Sequence, residues 1–163
     1  MKIRLFEHHR ENYFIRRLGD VKNKKILELG CGSGDRAAYF AQIGAYVTAI
    51  DIHDTLKDEY RNIDRLIFVK QDACKINFKN EFDFVISGDV IEHIENDDVF
   101  LKNGIKALKS GGKFICGTPN INRTMNIIKI LIGRREKYPF TLGIDPKFGP
   151  VVHIREYSLK TYK

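Results

Sequence analysis

The chain has 163 residues, 43% of them hydrophobic and 30% charged, with a formal net charge of +7. That length and balance suit one domain with a real core and exclude a disordered chain. No apolar run reaches membrane-spanning length, and Met1-Lys2-Ile3-Arg4-Leu5-Phe6-Glu7 leads into no signal-type hydrophobic segment, so a cytoplasmic location is expected. Cys31, Cys74 and Cys116 are odd in number and form no C-x-x-C pair, which reads as reduced structural cysteines rather than disulfide or zinc ligands. The positive charge fits solubility alone, or an anionic partner such as nucleic acid, an acidic lipid surface or a phosphorylated substrate.

Residues 1–23 place Phe6, Tyr13, Phe14 and Leu18 at roughly helical spacing among His8, His9, Arg10, Arg16 and Arg17, with Gly19-Asp20 as a stop. A helix is expected there, and His8-His9 reads as solvent-exposed. Ile26, Leu27 and Leu29 then form a short apolar run, followed by Gly30, Gly32 and Gly34 at alternate positions. This is a buried strand entering a turn whose missing Cβ atoms let a ligand lie against the backbone. The helix expected over 36–43, with Ala37, Ala38, Phe40 and Ala41 facing the sheet, adds free N–H groups and a positive dipole end. In the G-x-G-x-x-G dinucleotide fingerprint, the third glycine counted from Gly30 would fall at Asp35, where an acid sits badly against a pyrophosphate. Glu28 and Asp35 together suit a ligand that also carries a cation, such as an amino-acid ammonium.

A second strand is expected over 45–51, ending in Asp51. A carboxylate there, about 20 residues beyond the glycine turn, can accept hydrogen bonds from two ribose hydroxyls; the alternative is a helix N-cap. Ile52 follows, placed to pack on a base. A third strand over 66–70 leads to Gln71-Asp72-Ala73, and a fourth over 82–88 has apolar residues on both faces, as a central parallel strand needs. An amphipathic helix over 99–109 would turn Phe100, Leu101, Ile105 and Leu108 inward. Ser110-Gly111-Gly112 reads as a turn, 113–118 as a fifth strand, and Pro119 as its stop. Strands alternating with helices in this way predict an α/β, Rossmann-like, doubly wound, mainly parallel sheet, with ligands beyond the carboxyl ends of the strands.

The motif E-L-G-C-G-S-G-D at 28–35, with Asp51, Asp72 and the 87–94 tract all at those strand ends, closely resembles the class I S-adenosylmethionine-dependent methyltransferases. The resemblance covers about 20–160. It implies S-adenosylmethionine as cofactor, bound by Glu28, Gly30, Cys31, Gly32, Gly34, Asp51, Ile52, Asp72, Ala73 and Ser87. Asp72 would take the adenine amino group; a surface turn aspartate is the alternative. The leading helix would cover the cofactor or simply cap the core.

Asp89-Val90-Ile91-Glu92-His93-Ile94 is similar to tracts in two of these groups, the ubiquinone-biosynthesis O-methyltransferases and the small-RNA 3′-end 2′-O-methyltransferases. Both hold a divalent metal with acid-x-x-Glu-His. The resemblance therefore implies Asp89, Glu92 and His93 as ligands of a cation such as Mg, with Asp in place of the usual first Glu. Alternatively His93, with Glu92, is catalytic as a general base, since an imidazole can take a hydroxyl proton at neutral pH; or the pair merely caps the loop.

Ile121, Met125, Ile128 and Ile132 are at helical spacing, with Arg134, Arg135 and Lys137 after them, expected as a substrate lid or membrane-surface helix, with a core-packed helix and a solvated end as the alternative. Gly143, Pro146, Gly149 and Pro150 read as a loop. The 153–158 segment resembles the lead-in to the family's last helix, and His153 reads as a lone surface histidine, with a fourth ligand as the alternative. The chain is expected to form a single domain: an N-terminal helix over 1–23, a cofactor core over 24–118, a lid or insertion over 119–155, and the start of a truncated element over 156–163. The family's terminal helix and β-hairpin are missing, so either the chain is a fragment, or an oligomer or partner covers the sheet edge. The expected function is methyl transfer to a hydroxyl of a small molecule. The alternatives are an RNA methyltransferase and a non-catalytic S-adenosylmethionine-binding scaffold, with a nicotinamide oxidoreductase set against by Asp35.

Overall fold

The computed structural model describes residues 9–120, 127–128, 131–133, 139–145 and 149–158. It divides into two compact units, one of residues 1–88 and 98–116, the other of 89–97 and 117–163. The leading segment Met1–Phe6 with His8, the residues Ile121, Met125, Arg134, Arg135, Lys137 and Pro146, and 159–163 lie outside the described residues.

The first unit is built on a five-stranded sheet in the order β3-β2-β1-β4-β5. Its strands are β1 (Lys25–Leu29), β2 (Tyr46–Asp51), β3 (Leu66–Lys70), β4 (Phe82–Gly88) and β5 (Leu108–Gly117). β1 pairs in parallel with β2 and with β4, and β2 in parallel with β3. Ile26, Leu27 and Leu29 are fully buried, as a central strand covered on both faces must be. The chain returns through β2 and β3 on one side of β1, then crosses to β4 on the other. The crevice for a ligand is therefore at the β1/β4 switch point.

Helix α2 (Asp35–Gln42) buries Ala37, Ala38, Phe40 and Ala41, the face the sequence predicts. Helix α1 (His9–Leu18) contributes Phe14 and Leu18 to the same core, one turn apart, and leaves Arg16 and Arg17 exposed. Helix α3 (Asp97–Ala107) begins and ends two residues before the predicted span. Its buried stripe is Phe100, Gly104 and Ala107, and Ile105, expected to face inward, is 61% exposed. Gly104 decides the rotation: a Cβ there would lie 2.6 Å from Phe114 Cε1, so the missing side chain lets the Phe114 ring lie against the helix. The predicted turn Ser110-Gly111-Gly112 falls inside β5. Gly111 keeps the positive φ of such a turn, 77°, but the strand runs through it.

In the second unit, the stretch expected as a loop is a hairpin of β6 (Phe140–Asp145) and β7 (Gly149–His153). They pair antiparallel, with a register shift between Thr141 and Gly143. Thr141, Ile144, Val151 and Val152 supply β-formers, while Gly143 falls at the irregularity and Pro150 in a two-stranded ribbon, where no strand is central. Residues 154–158 form no helix; Tyr157 instead makes a parallel bridge with Asn120. Residues 127, 128 and 131 are helical, and Ile127, Ile128, Leu131 and Ile132 are exposed. Among the described residues no helix is long and apolar enough to cross a membrane.

Candidate functional sites

In the first unit the glycine turn leaves β1 at the switch point. Gly30, Gly32 and Gly34 take φ of 74°, 52° and 82°, conformations that side-chain-bearing residues rarely adopt. Gly30 and Cys31 donate their N–H groups to Ile50 O at 2.8 and 3.0 Å, which ties the turn to β2. Nothing lies within 4 Å of where a Cβ on Gly32 would sit, so the turn opens on one side to space for a ligand. Gly34 is closed instead, because Leu56 occupies the position of its Cβ.

Asp51 caps no helix, since none follows β2 directly. Its Oδ2 accepts the Gly32 N–H at 2.9 Å and its Oδ1 accepts the His53 N–H at 3.0 Å. The acid is thereby fixed beside the glycine turn, each oxygen retaining lone-pair capacity for a donor such as a hydroxyl. Ile52 is 58% exposed at this end of β2, with the apolar face a base can lie on. Asp72 Oδ1 accepts from Cys74 N at 2.8 Å, and Asn103 of α3 donates to the Cys74 carbonyl at 2.8 Å, so the turn after β3 is pinned with Ala73 buried in it. Ser87 is fully buried, and its hydroxyl donates to Leu29 O at 3.0 Å, which locks β4 to β1 beside the turn. Burial, with the charge of Glu28 next, pushes the Cys31 thiol up, so it stays a neutral wall.

The charge reading of the turn needs correction. Glu28 and Asp35 both have cationic partners within the protein. Arg36 Nε is 3.0 Å from Glu28 Oε1, and Asp35 takes hydrogen bonds from Ser33 Oγ, Lys57 Nζ and Tyr60 Oη at 2.5–2.6 Å. Burial would push Asp35 up, but those three donors outweigh it and hold the carboxyl below its ordinary value. Tyr60 is pushed up to about 12 by burial and by its bond to Asp35. Thr55 Oγ1 also donates to Gly32 O at 2.7 Å. Thr55, Lys57 and Tyr60 thus clamp the turn from the β2–β3 connection. No periodicity in that irregular segment marks them in the sequence.

In the second unit, the tract after β4 forms a 3-10 turn over Ile91–His93, with Asp89 in a left-handed conformation at φ 58°. Glu92, His93 and His153 offer ligand atoms within 4.8 Å of one another. His153 is 5% exposed, so the surface reading fails: the hairpin carries it into the cluster, its ring 4.9 Å from that of His93. Asp89 is not part of this group. His93 Nδ1 lies 2.6 Å from Val152 O and His153 Nδ1 lies 3.3 Å from Glu156 Oε1. A carbonyl or carboxylate only accepts, so the proton of each contact is on Nδ1, and a neutral ring in either place presents its lone pair at Nε2. Thr118 Oγ1 donates to Glu92 Oε2 at 3.0 Å, while Oε1 is buried with no hydrogen-bond partner. Burial raises Glu92 above the usual carboxylate range, against the Thr118 bond. A buried acid with an orphaned oxygen beside two oriented imidazoles is a donor set that suits a borderline or hard divalent cation. Ile154 N donates to Glu92 O at 2.9 Å and Arg155 pairs with Asp97 at 2.6 Å, which fix the 153–155 segment on the 92–97 loop.

Comparison with known proteins gives a consistent result. A methyltransferase domain family matches residues 27–116. A ubiquinone biosynthesis O-methyltransferase of Rickettsia bellii is 34% identical over 147 residues, 85% of this chain and 59% of that protein. The chain spans about half the length of the Rickettsia relatives it matches. A Listeria monocytogenes structure, described as an S-adenosylmethionine-dependent methyltransferase, superposes with a TM-score of 0.66 at 22% identity, over 93% of this chain and 79% of that one. The Burkholderia thailandensis 1,6-didemethyltoxoflavin-N1-methyltransferase, solved with its substrate and S-adenosylhomocysteine, gives 0.56 at 23%, over 64% and 48%. Likeness at that identity carries the fold, and the domain match over 27–116 carries the family. The chain belongs to the class I S-adenosylmethionine-dependent methyltransferases.

Proposed function

We propose that the chain binds S-adenosylmethionine on the glycine turn and transfers its methyl group to a hydroxyl of a small molecule. The observation that carries this reading is Asp51, which is bonded to Gly32 N and thereby held beside the turn. Gly30, Cys31, Gly32 and Gly34 form the backbone cradle, and Glu28 and Ser87 hold it from β1 and β4. Asp51 receives the ribose hydroxyls, Ile52 and Ala73 bracket the adenine, and Asp72 accepts from its amino group. Bound there, the cofactor would supply an electrophilic methyl on a sulfonium, whose sulfur leaves as a neutral thioether. The protein's part is to align the acceptor and exclude water.

Glu92, His93 and His153 would hold a divalent cation such as Mg, which when bound lowers the pKa of a coordinated hydroxyl. His93, with its lone pair on Nε2, is the base if no cation is used. The names of the Rickettsia relatives support an intermediate of ubiquinone biosynthesis as acceptor. Exposed Ile127, Ile128, Leu131 and Ile132 support contact with a membrane surface, where a lipophilic acceptor would be found. The net charge of +7 favours RNA as a second reading of the acceptor.

The test is transfer of radiolabelled methyl from S-adenosylmethionine to a panel of catechols and polyprenylated phenols, with bulk tRNA alongside. Methylated phenol supports the reading. Label in tRNA alone moves the acceptor to RNA, and no transfer with intact cofactor binding favours a scaffold.

A further inference from the structure

Arg36 is charged, yet it stands on the buried side of α2. It is four residues before Phe40, one turn along the same face, and Phe40 is 1% exposed. A guanidinium so placed is costly unless a counter-charge and close packing go with it. Both do. The side chains of Arg36 and Glu28 are 13% and 1% exposed at their 3.0 Å contact. Arg36 Cζ lies 4.4 Å from the centre of the Phe14 ring, and Phe14 is buried on α1. Arg36 Nη1 fills the space beside Gly88 at the end of β4, where a Cβ would lie 2.5 Å from it. One side chain therefore touches β1, β4 and α1 together, at the switch point of the sheet.

We propose that Arg36 is a positioning residue that couples α1 to the cofactor turn, linking Phe14 to Glu28 so that filling the cradle tightens the helix. The inference rests on the cofactor reading above. Glu28 is two residues before Gly30, and its charge is felt at the Cys31 thiol in the turn. A cofactor that steadies the turn thus steadies, through the backbone between Glu28 and Gly30, the buried carboxylate that the guanidinium faces. Arginine fits this task because its edge takes a carboxylate while its flat face stacks on an aromatic ring; lysine offers only a point charge. If the cofactor steadies α1, a seated α1 strengthens cofactor binding by the same factor.

Hydrogen exchange read by mass spectrometry on the full chain, with and without saturating S-adenosylhomocysteine, tests this. In the wild type the ligand slows exchange both at the glycine turn and across α1. In Arg36→Met the turn stays protected, while ligand-induced protection of α1 falls at least threefold. Phe14→Leu, which keeps apolar bulk and loses the π face, gives the same loss, and the double variant loses no more than either. That shared, non-additive loss separates coupling from simple packing; if Arg36→Met does not fold, Phe14→Leu carries the test. Turn and α1 protection that both survive in either variant overturn the proposal. A wild-type turn that the ligand leaves unprotected overturns the cofactor reading, and the proposal with it.

Discussion

Asp51 and Gly32 are joined by a 2.9 Å hydrogen bond from the glycine amide to the carboxylate. The bond runs between the end of β2 and the turn after β1, so the acid proposed to receive the ribose hydroxyls also sets the shape of the cradle next to it. Asp51→Ala removes both functions. Losing a partner for buried polar groups costs about 1–3 kcal/mol, so S-adenosylmethionine affinity is expected to fall roughly 10- to 100-fold by calorimetry. Unchanged affinity would remove Asp51 from the ribose site.

Gly32 and Gly34 separate two uses of glycine. Gly34→Ala meets both a φ of 82° and the Leu56 side chain. Left-handed backbone costs roughly 1–2 kcal/mol and overpacking roughly 1–3, so a Tm drop of roughly 5–15 °C is expected, partly restored by Leu56→Ala. Gly32→Ala meets open space at φ 52°. It carries the left-handed cost but no overpacking, so its Tm loss should be the smaller of the two, while cofactor binding falls. Equal Tm losses in the two variants would contradict this division.

Much of this was legible from the residues alone. β1 to β4 and the buried face of α2 follow from short apolar runs between glycines and charges. Asp51 and the glycine turn are local in sequence, so their spacing announces them. Other features are not local. His153 reaches Glu92 and His93 because Gly149–His153 pairs with Phe140–Asp145, strands that read as loop for their glycines and Pro150. The rotation of α3 turns on Gly104 making room for Phe114, a contact no hydrophobic stripe encodes. Arg36 reads in the sequence only as the first residue of the helix over 36–43, because its partner Glu28 is on a different element.

The cluster of Glu92, His93 and His153 gives a ligand prediction. Mg or Mn should raise the Tm of the wild type and leave that of Glu92→Gln unchanged, with a chelator reversing the rise. His93→Ala should lower turnover roughly 10²- to 10⁴-fold while sparing cofactor affinity. A wild-type Tm indifferent to both metals and chelator, with turnover still dependent on His93, would leave His93 as the base. Full activity in His93→Ala would end both roles.

Asp35 and Asp83 set the acid limb of stability. Burial pushes both up, but hydrogen bonds from Lys57, Ser33 and Tyr60 on Asp35, and from Lys25 N–H and Lys109 on Asp83, hold both below their ordinary values. A carboxyl lowered in the folded state stabilises it above the unfolded pKa, about 3.9. That contribution disappears as pH falls through the folded values. Tm followed by circular dichroism should therefore fall below about pH 4, and Asp35→Asn should lower Tm at pH 7 while flattening the acid limb. An Asp35→Asn profile parallel to that of the wild type would contradict the assignment.

The central claim is that the turn at 30–34 and Asp51 bind an adenosyl cofactor. Calorimetric titration of the chain with S-adenosylmethionine and S-adenosylhomocysteine, with NAD as control, tests it most directly. Saturable binding of both adenosyl ligands at a single site, absent with NAD and weakened in Asp51→Ala, is the expected result. Binding of NAD in their place, or no heat from any of the three on a folded chain, would contradict it.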